Sequence, residues 1–78
     1  MDDLHRAMAD RIRTLAAARG IVLTHLPDRC GVGAGHFWRV MGGTASPTVA
    51  WLERVAAVLE VDVADLVARP GAGGAERS

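Results

Sequence analysis

The residues best placed to do chemistry lie between Cys30 and Gly43, in the stretch GVGAGHFWRVMGG. Gly31, Gly33 and Gly35 alternate, as in loops whose backbone amides cradle a phosphate. The dinucleotide fingerprint, however, needs its third glycine where His36 stands, a strand before it and a βαβ unit around it. The pattern upstream reads as a short helix instead. With Cys30 and three histidines in the chain, a Cys/His nucleophile pair is formally available for covalent catalysis. A single cysteine on the apolar side of a short helix is more simply a small core residue. His5, His25 and His36 are spread along the chain without metal-ligand spacing. The expectation is therefore no enzyme, no metal and no cofactor. Arg39 and Trp38 remain, and they suit binding rather than catalysis.

The chain has 78 residues, one domain's worth. Half of them are apolar, but Phe37, Trp38 and Trp51 are the only aromatics, so Leu, Val, Ile and Ala must build most of the core. There is no Lys, Asn, Gln or Tyr, and all nine basic residues are Arg. Without side-chain amides the chain cannot make the bidentate contact to adenine. Net charge is zero, yet its distribution is uneven. Residues 11–43 carry five arginines (11, 13, 19, 29, 39) against one acid, Asp28, whereas residues 44–78 carry three arginines and five acids. A local basic patch follows, of the kind that meets a polyanion. A lone cysteine and the absence of any long apolar run predict a cytoplasmic protein with no membrane segment.

The elements that must position these residues are helices. Leu4, Met8, Ile12, Leu15 and Ala16 recur at helical spacing over about 3–19, and Gly20 ends the run. Ile21-Val22-Leu23 has no partner strand. Thr24 is the expected cap of a short second helix, about 25–30, with Pro27 in its first turn, Leu26 and Cys30 inward and Gly31 after it. Gly33 caps a third helix over 34–41, with Phe37 and Val40 inward and Gly42-Gly43 at its end. Ser46 and Pro47 read as cap and first position of a fourth helix, 47–59, whose inward stripe is Val49, Leu52, Val55, Ala56 and Leu59. Trp51 is expected over the junction with the next helix or in a dimer contact. Asp62 and Asp65 start a fifth helix, Leu66 and Val67 pack, and Pro70 stops it. The domain is thus expected over 1–69, with 70–78 a disordered tail.

Helix, short helix, glycine turn, helix and capped fourth helix resemble the lambda-repressor/Cro-like (XRE-type) helix-turn-helix family. Ile12-Arg13-x-Leu15, Arg19-Gly20, Leu26, Gly31-Val32, Phe37, Arg39-Val40, Gly43, Pro47, Leu52, Val55-Ala56, Leu59 and the run EVDVADL at 60–66 carry the resemblance, which spans residues 8–67 without a gap. It implies an all-α, five-helix fold and a bacterial transcriptional regulator. The departures fall on polar positions: Val22-Leu23 replace the family Ser-Gln, Pro27 an Ala, Gly33 and Trp38 a Ser each, and Met41 a Glu.

By this resemblance the third helix is the recognition helix of a sequence-specific binder of double-stranded DNA. Ala34, Gly35, His36, Trp38 and Arg39 form its outward face. His36 is placed to reach base edges, Ala34 and Gly35 to approach closely, and Arg39, Arg29 and Arg13 to hold phosphates. Dimerisation through the fourth and fifth helices is the family habit. The alternative is a protein-binding module that has lost DNA binding, with Trp38 and Met41 as its apolar patch.

Overall fold

A computed structural model describes residues 3–67 of the chain. Five α-helices follow in order: α1 Asp3–Ala18, α2 Leu26–Cys30, α3 Ala34–Met41, α4 Val49–Leu59 and α5 Val63–Val67. A 3₁₀ turn, Leu23–His25, leads into α2. The described residues contain no strand, so the all-α, five-helix expectation holds. Pro70 and the residues after it lie outside the described residues.

Four of the helices close in the same way. After α1, the Gly20 amide donates to the Ala17 carbonyl and Ile21 to Ala16; after α2, Gly31 donates to Asp28 and Val32 to Pro27. After α3, Gly43 donates to Val40 and Thr44 to Arg39, and after α4, Glu60 donates to Ala57 and Val61 to Ala56. This paired bonding turns the chain sharply while satisfying carbonyls that the helix leaves open. It requires a left-handed residue. Gly20, Gly31 and Gly43 supply it with φ of 71°, 71° and 88°, and Glu60 supplies it with φ 60° despite its side chain.

Two helix starts differ from expectation. Thr24 is not a cap: it lies inside the 3₁₀ turn, which begins one residue earlier at Leu23, and neither that turn nor α2 has a side-chain cap. The extended residue is Val22, and α2 begins at Leu26, so Pro27 still falls in the first turn, where its missing N–H costs nothing. The cap of α4 is Thr48 rather than Ser46. Its Oγ1 accepts the Trp51 amide at 3.0 Å, so the helix starts at Val49 and Pro47 precedes the cap. Removing that hydroxyl leaves a first-turn amide without its partner. Thr48→Ala is therefore expected to cost about 1 kcal/mol, and Thr48→Ser to cost less. Urea denaturation checks this; equal midpoints for Thr48→Ala and the unaltered chain would rule the cap out. At α5 the Asp62 amide donates to Asp65 Oδ2 at 3.2 Å, as the Asp-x-x-Asp spacing suggested.

One core joins the helices. Ile12, Leu26, Phe37, Val40, Val55, Leu59 and Leu66 are completely buried, with Met8, Ala16, Cys30, Met41, Trp51, Leu52 and Ala56 around them. The buried stripe of α4 runs through Trp51, Leu52, Val55, Ala56 and Leu59, which is helical spacing. Val49 is off that stripe and 68% exposed. Trp51 is inside, its ring centroid 5.8 Å from that of Phe37, so it is not a surface available for a dimer contact. Val67, expected to pack, is exposed, while Leu66 is buried.

Side chains of α1 and of the turn that follows it tie α3, α4 and α5 to this end of the fold. His5 Nε2 lies 2.5 Å from the Val40 carbonyl of α3; the carbonyl can only accept, so Nε2 carries the proton. Arg11 Nε donates to the Asp65 carbonyl of α5 at 3.0 Å. Arg19 Nε donates to the Leu59 carbonyl at the end of α4, and its Nη1 lies 3.3 Å from Glu60 Oε1. A cation at the carboxyl end of a helix also suits the helix dipole.

Candidate nucleic-acid interface

The site is built from α2, a three-residue turn and α3. Leu26, Pro27 and Cys30 bury the inner side of α2, while Phe37, Val40 and Met41 bury that of α3. Between them Gly31 must be left-handed, and Gly33, extended at φ −67° and ψ 134°, hands its carbonyl to the Phe37 amide. The two helices are thus clamped to one core while the outer side of α3 faces solvent.

Ala34, Gly35, Trp38 and Arg39 share that outer side, and all four are exposed. Their spacing, i, i+1, i+4 and i+5, is that of one helix face. His36 is displaced from it. It sits one turn ahead of the fully buried Val40 and is half-buried at the flank. Met41 is not on the outer face at all: it is 5% exposed, because it follows Phe37 by four residues and shares its inward side. The expected Trp38/Met41 patch therefore does not form. Trp38 remains 40% exposed and meets the Phe37 ring edge-on, centroids 4.9 Å apart at 89°. That geometry is favoured between aromatic rings and fixes the indole against the core edge.

The arginines divide into those engaged within the protein and those that are not. Arg11 and Arg19 bond backbone carbonyls, and Arg13 pairs with Asp10 at 3.3 Å. Arg13 therefore brings little net charge to a partner. Arg29 in the last turn of α2 and Arg39 in the last turn of α3 have no acidic partner among the described residues. Arg39 leans back along its helix: its Nη1 lies 3.8 Å from where a Cβ on Gly35 would stand. Its charge thus sits over the front half of α3. Arg6 near the start of α1 and Arg54 are likewise without an acidic partner among the described residues; Arg54 is missed by counting charge along the chain because it falls in the acidic half. From α4 it crosses to the turn, its Nη1 3.3 Å from the Cβ position of Gly31. Only the three-dimensional contact between α2 and α4 reveals it.

Cys30 is buried, and burial pushes its thiol pKa up, with Arg29 pulling weakly the other way. A thiol held protonated is a core group rather than a nucleophile. Among the described residues no group of three or more His, Cys, Asp or Glu could hold a metal, and no helix is long and apolar enough to cross a membrane.

Two short helices set at a glycine turn, the second offering a solvent-facing side bordered by arginines, define a helix-turn-helix protein. A family model described as a helix-turn-helix domain matches residues 7–69, the greater part of the chain, and the protein belongs to that family. No curated protein and no solved structure matches it.

Proposed function

We propose that this protein is a transcriptional regulator of the lambda-repressor/Cro-like type that binds duplex DNA with α3 in the major groove. The observation that carries the reading is the solvent-facing side of α3, where Ala34, Gly35, Trp38 and Arg39 stand together on a helix whose other side is locked into the core. Ala34 and Gly35 let the helix approach base edges closely and meet thymine methyl groups. Arg39 and Arg29 supply phosphate contacts, and His36 adds a contact from the flank. Arg13 contributes less, since Asp10 compensates it. Burial of Met41 leaves Trp38 as the one large apolar side chain on this face, which favours DNA over a protein partner. The DNA-binding unit is residues 1–69, and two copies joined through α4 and α5 would set their α3 helices about one DNA turn (~34 Å) apart.

Affinity for duplex DNA over a salt series tests this. Log affinity should fall linearly with log salt, by about 0.9 per phosphate neutralised. Selection from random duplexes should then return a preferred sequence. No affinity for any duplex at low salt would overturn the reading.

A further inference from the structure

We infer that Arg54 of α4, outside the helix-turn-helix unit itself, is a DNA-phosphate contact that works with Arg39 on the same stretch of backbone. The inference rests on the proposal that α3 binds DNA.

Arg11, from α1, and Arg19, from the turn after it, also reach across to another helix. Both end on a backbone carbonyl, and Arg19 ends on a carboxylate as well. Those two are internal ties. Arg54 reaches from α4 to the turn between α2 and α3, and its Nη1 lies 3.3 Å from where a Cβ on Gly31 would stand. Among the described residues it makes no hydrogen bond to the α2 carbonyls that end there and no ion pair with any acid. A guanidinium carries five donors in a flat fork that matches phosphate oxygens. Arg54 is exposed, and these donors are left unspent within the protein.

The second guanidinium, that of Arg39, lies over Gly35. Gly35 follows Gly31 by four residues, so the two glycines lie within about 14 Å of each other at most, and each guanidinium has a nitrogen within 4 Å of the Cβ position of one of them. Phosphates recur along a DNA strand every 3.4 Å or so of axis. Both groups therefore meet the same few nucleotides when the outer side of α3 enters the groove. At Gly31 it is the φ of 71° that disfavours any side chain; a Cβ there would approach Arg54 Nη1 to 3.3 Å, the end of a flexible side chain.

The test compares the full chain with Arg54→Gln, Arg54→Lys and Arg11→Gln, binding one mixed-sequence duplex between 50 and 200 mM salt, with thermal melts alongside. Arg54→Gln should lower the salt slope by about 0.9, so that the unaltered chain loses about 3.5-fold more affinity than the variant across that range. Arg54→Lys should restore the slope, because a point charge suffices for a phosphate. Arg11→Gln removes the same formal charge from an internal tie and should leave the slope nearly unchanged. An unaltered chain that binds DNA, with Arg54→Gln showing the same slope, overturns the role of Arg54 and leaves the DNA reading standing. So does a slope that falls equally in Arg11→Gln, which would mean only net charge matters, or one that Arg54→Lys fails to restore while the melting temperature drops. An unaltered chain with no affinity for duplex at low salt removes both.

Discussion

Phe37→Ala should unfold most of the molecule's margin of stability. Phe37 is completely buried at the centre of the core, edge-on to Trp38 and tilted against Trp51. Truncation removes apolar burial, two ring contacts and the filling of the space between α3 and α4. The cost should be about 3–5 kcal/mol. A domain of this size has only about 4–12 kcal/mol in total. At roughly 4–8 °C per kcal/mol, the melting temperature should fall by more than about 12 °C. Phe37→Leu, which keeps most of the volume, should lose much less. A melting temperature unchanged by Phe37→Ala would mean that α3 does not pack as described, and the outward face of α3 would fall with it.

The second large effect concerns binding. Arg39→Glu should weaken DNA binding severely at low salt, because it deletes a positive charge over the front of α3 and puts a negative one beside the same phosphates. Arg39→Ala should lower the salt slope by about one and weaken binding evenly across sequences. Trp38→Ala removes apolar area without charge, so it should change affinity modestly and leave the slope alone. The three together discriminate between partners. If the partner were a protein, Trp38→Ala would be the damaging change, at about 2 kcal/mol or more. A Trp38→Ala loss exceeding that of Arg39→Glu is the outcome that would refute DNA as the ligand.

Helical periodicity and glycine punctuation made much of the fold legible. The bounds of α3 were readable because Gly33 and Gly42-Gly43 bracket one apolar seam, Phe37 and Val40. The start of α4 was not, because Ser46 and Thr48 are both good caps and the proline between them favours the earlier one; the hydroxyl that meets an amide is settled only by the path of the chain. Met41 and Val49 were misplaced for a related reason. A stripe read from spacing alone does not say where its edges lie: Trp51 is inside it on α4 and Val49 outside, and Met41 is inside it on α3. The site was less legible than the fold. Sequence gives the number of arginines but not their partners. Arg11 and Arg19 meet carbonyls 54 and 40 residues away, so their charge is used internally. Arg54, counted among acids, lies at the turn before α3.

Ties from α1 reach α3 through His5 and α5 through Arg11, and Arg19, in the turn just after α1, reaches α4. Neither α2, at five residues, nor α3, at eight, is long enough to be helical by itself in water. The presenting surface therefore has no independent existence: it lasts only while α1 is docked. In amide hydrogen exchange α1, α3 and α4 should therefore behave as a single cooperative unit. The amides on the inner side of α3 should exchange with the same free energy as those of α1 and track it together as denaturant is added. A fragment lacking α1 should exchange at every site at the rate of an unstructured peptide.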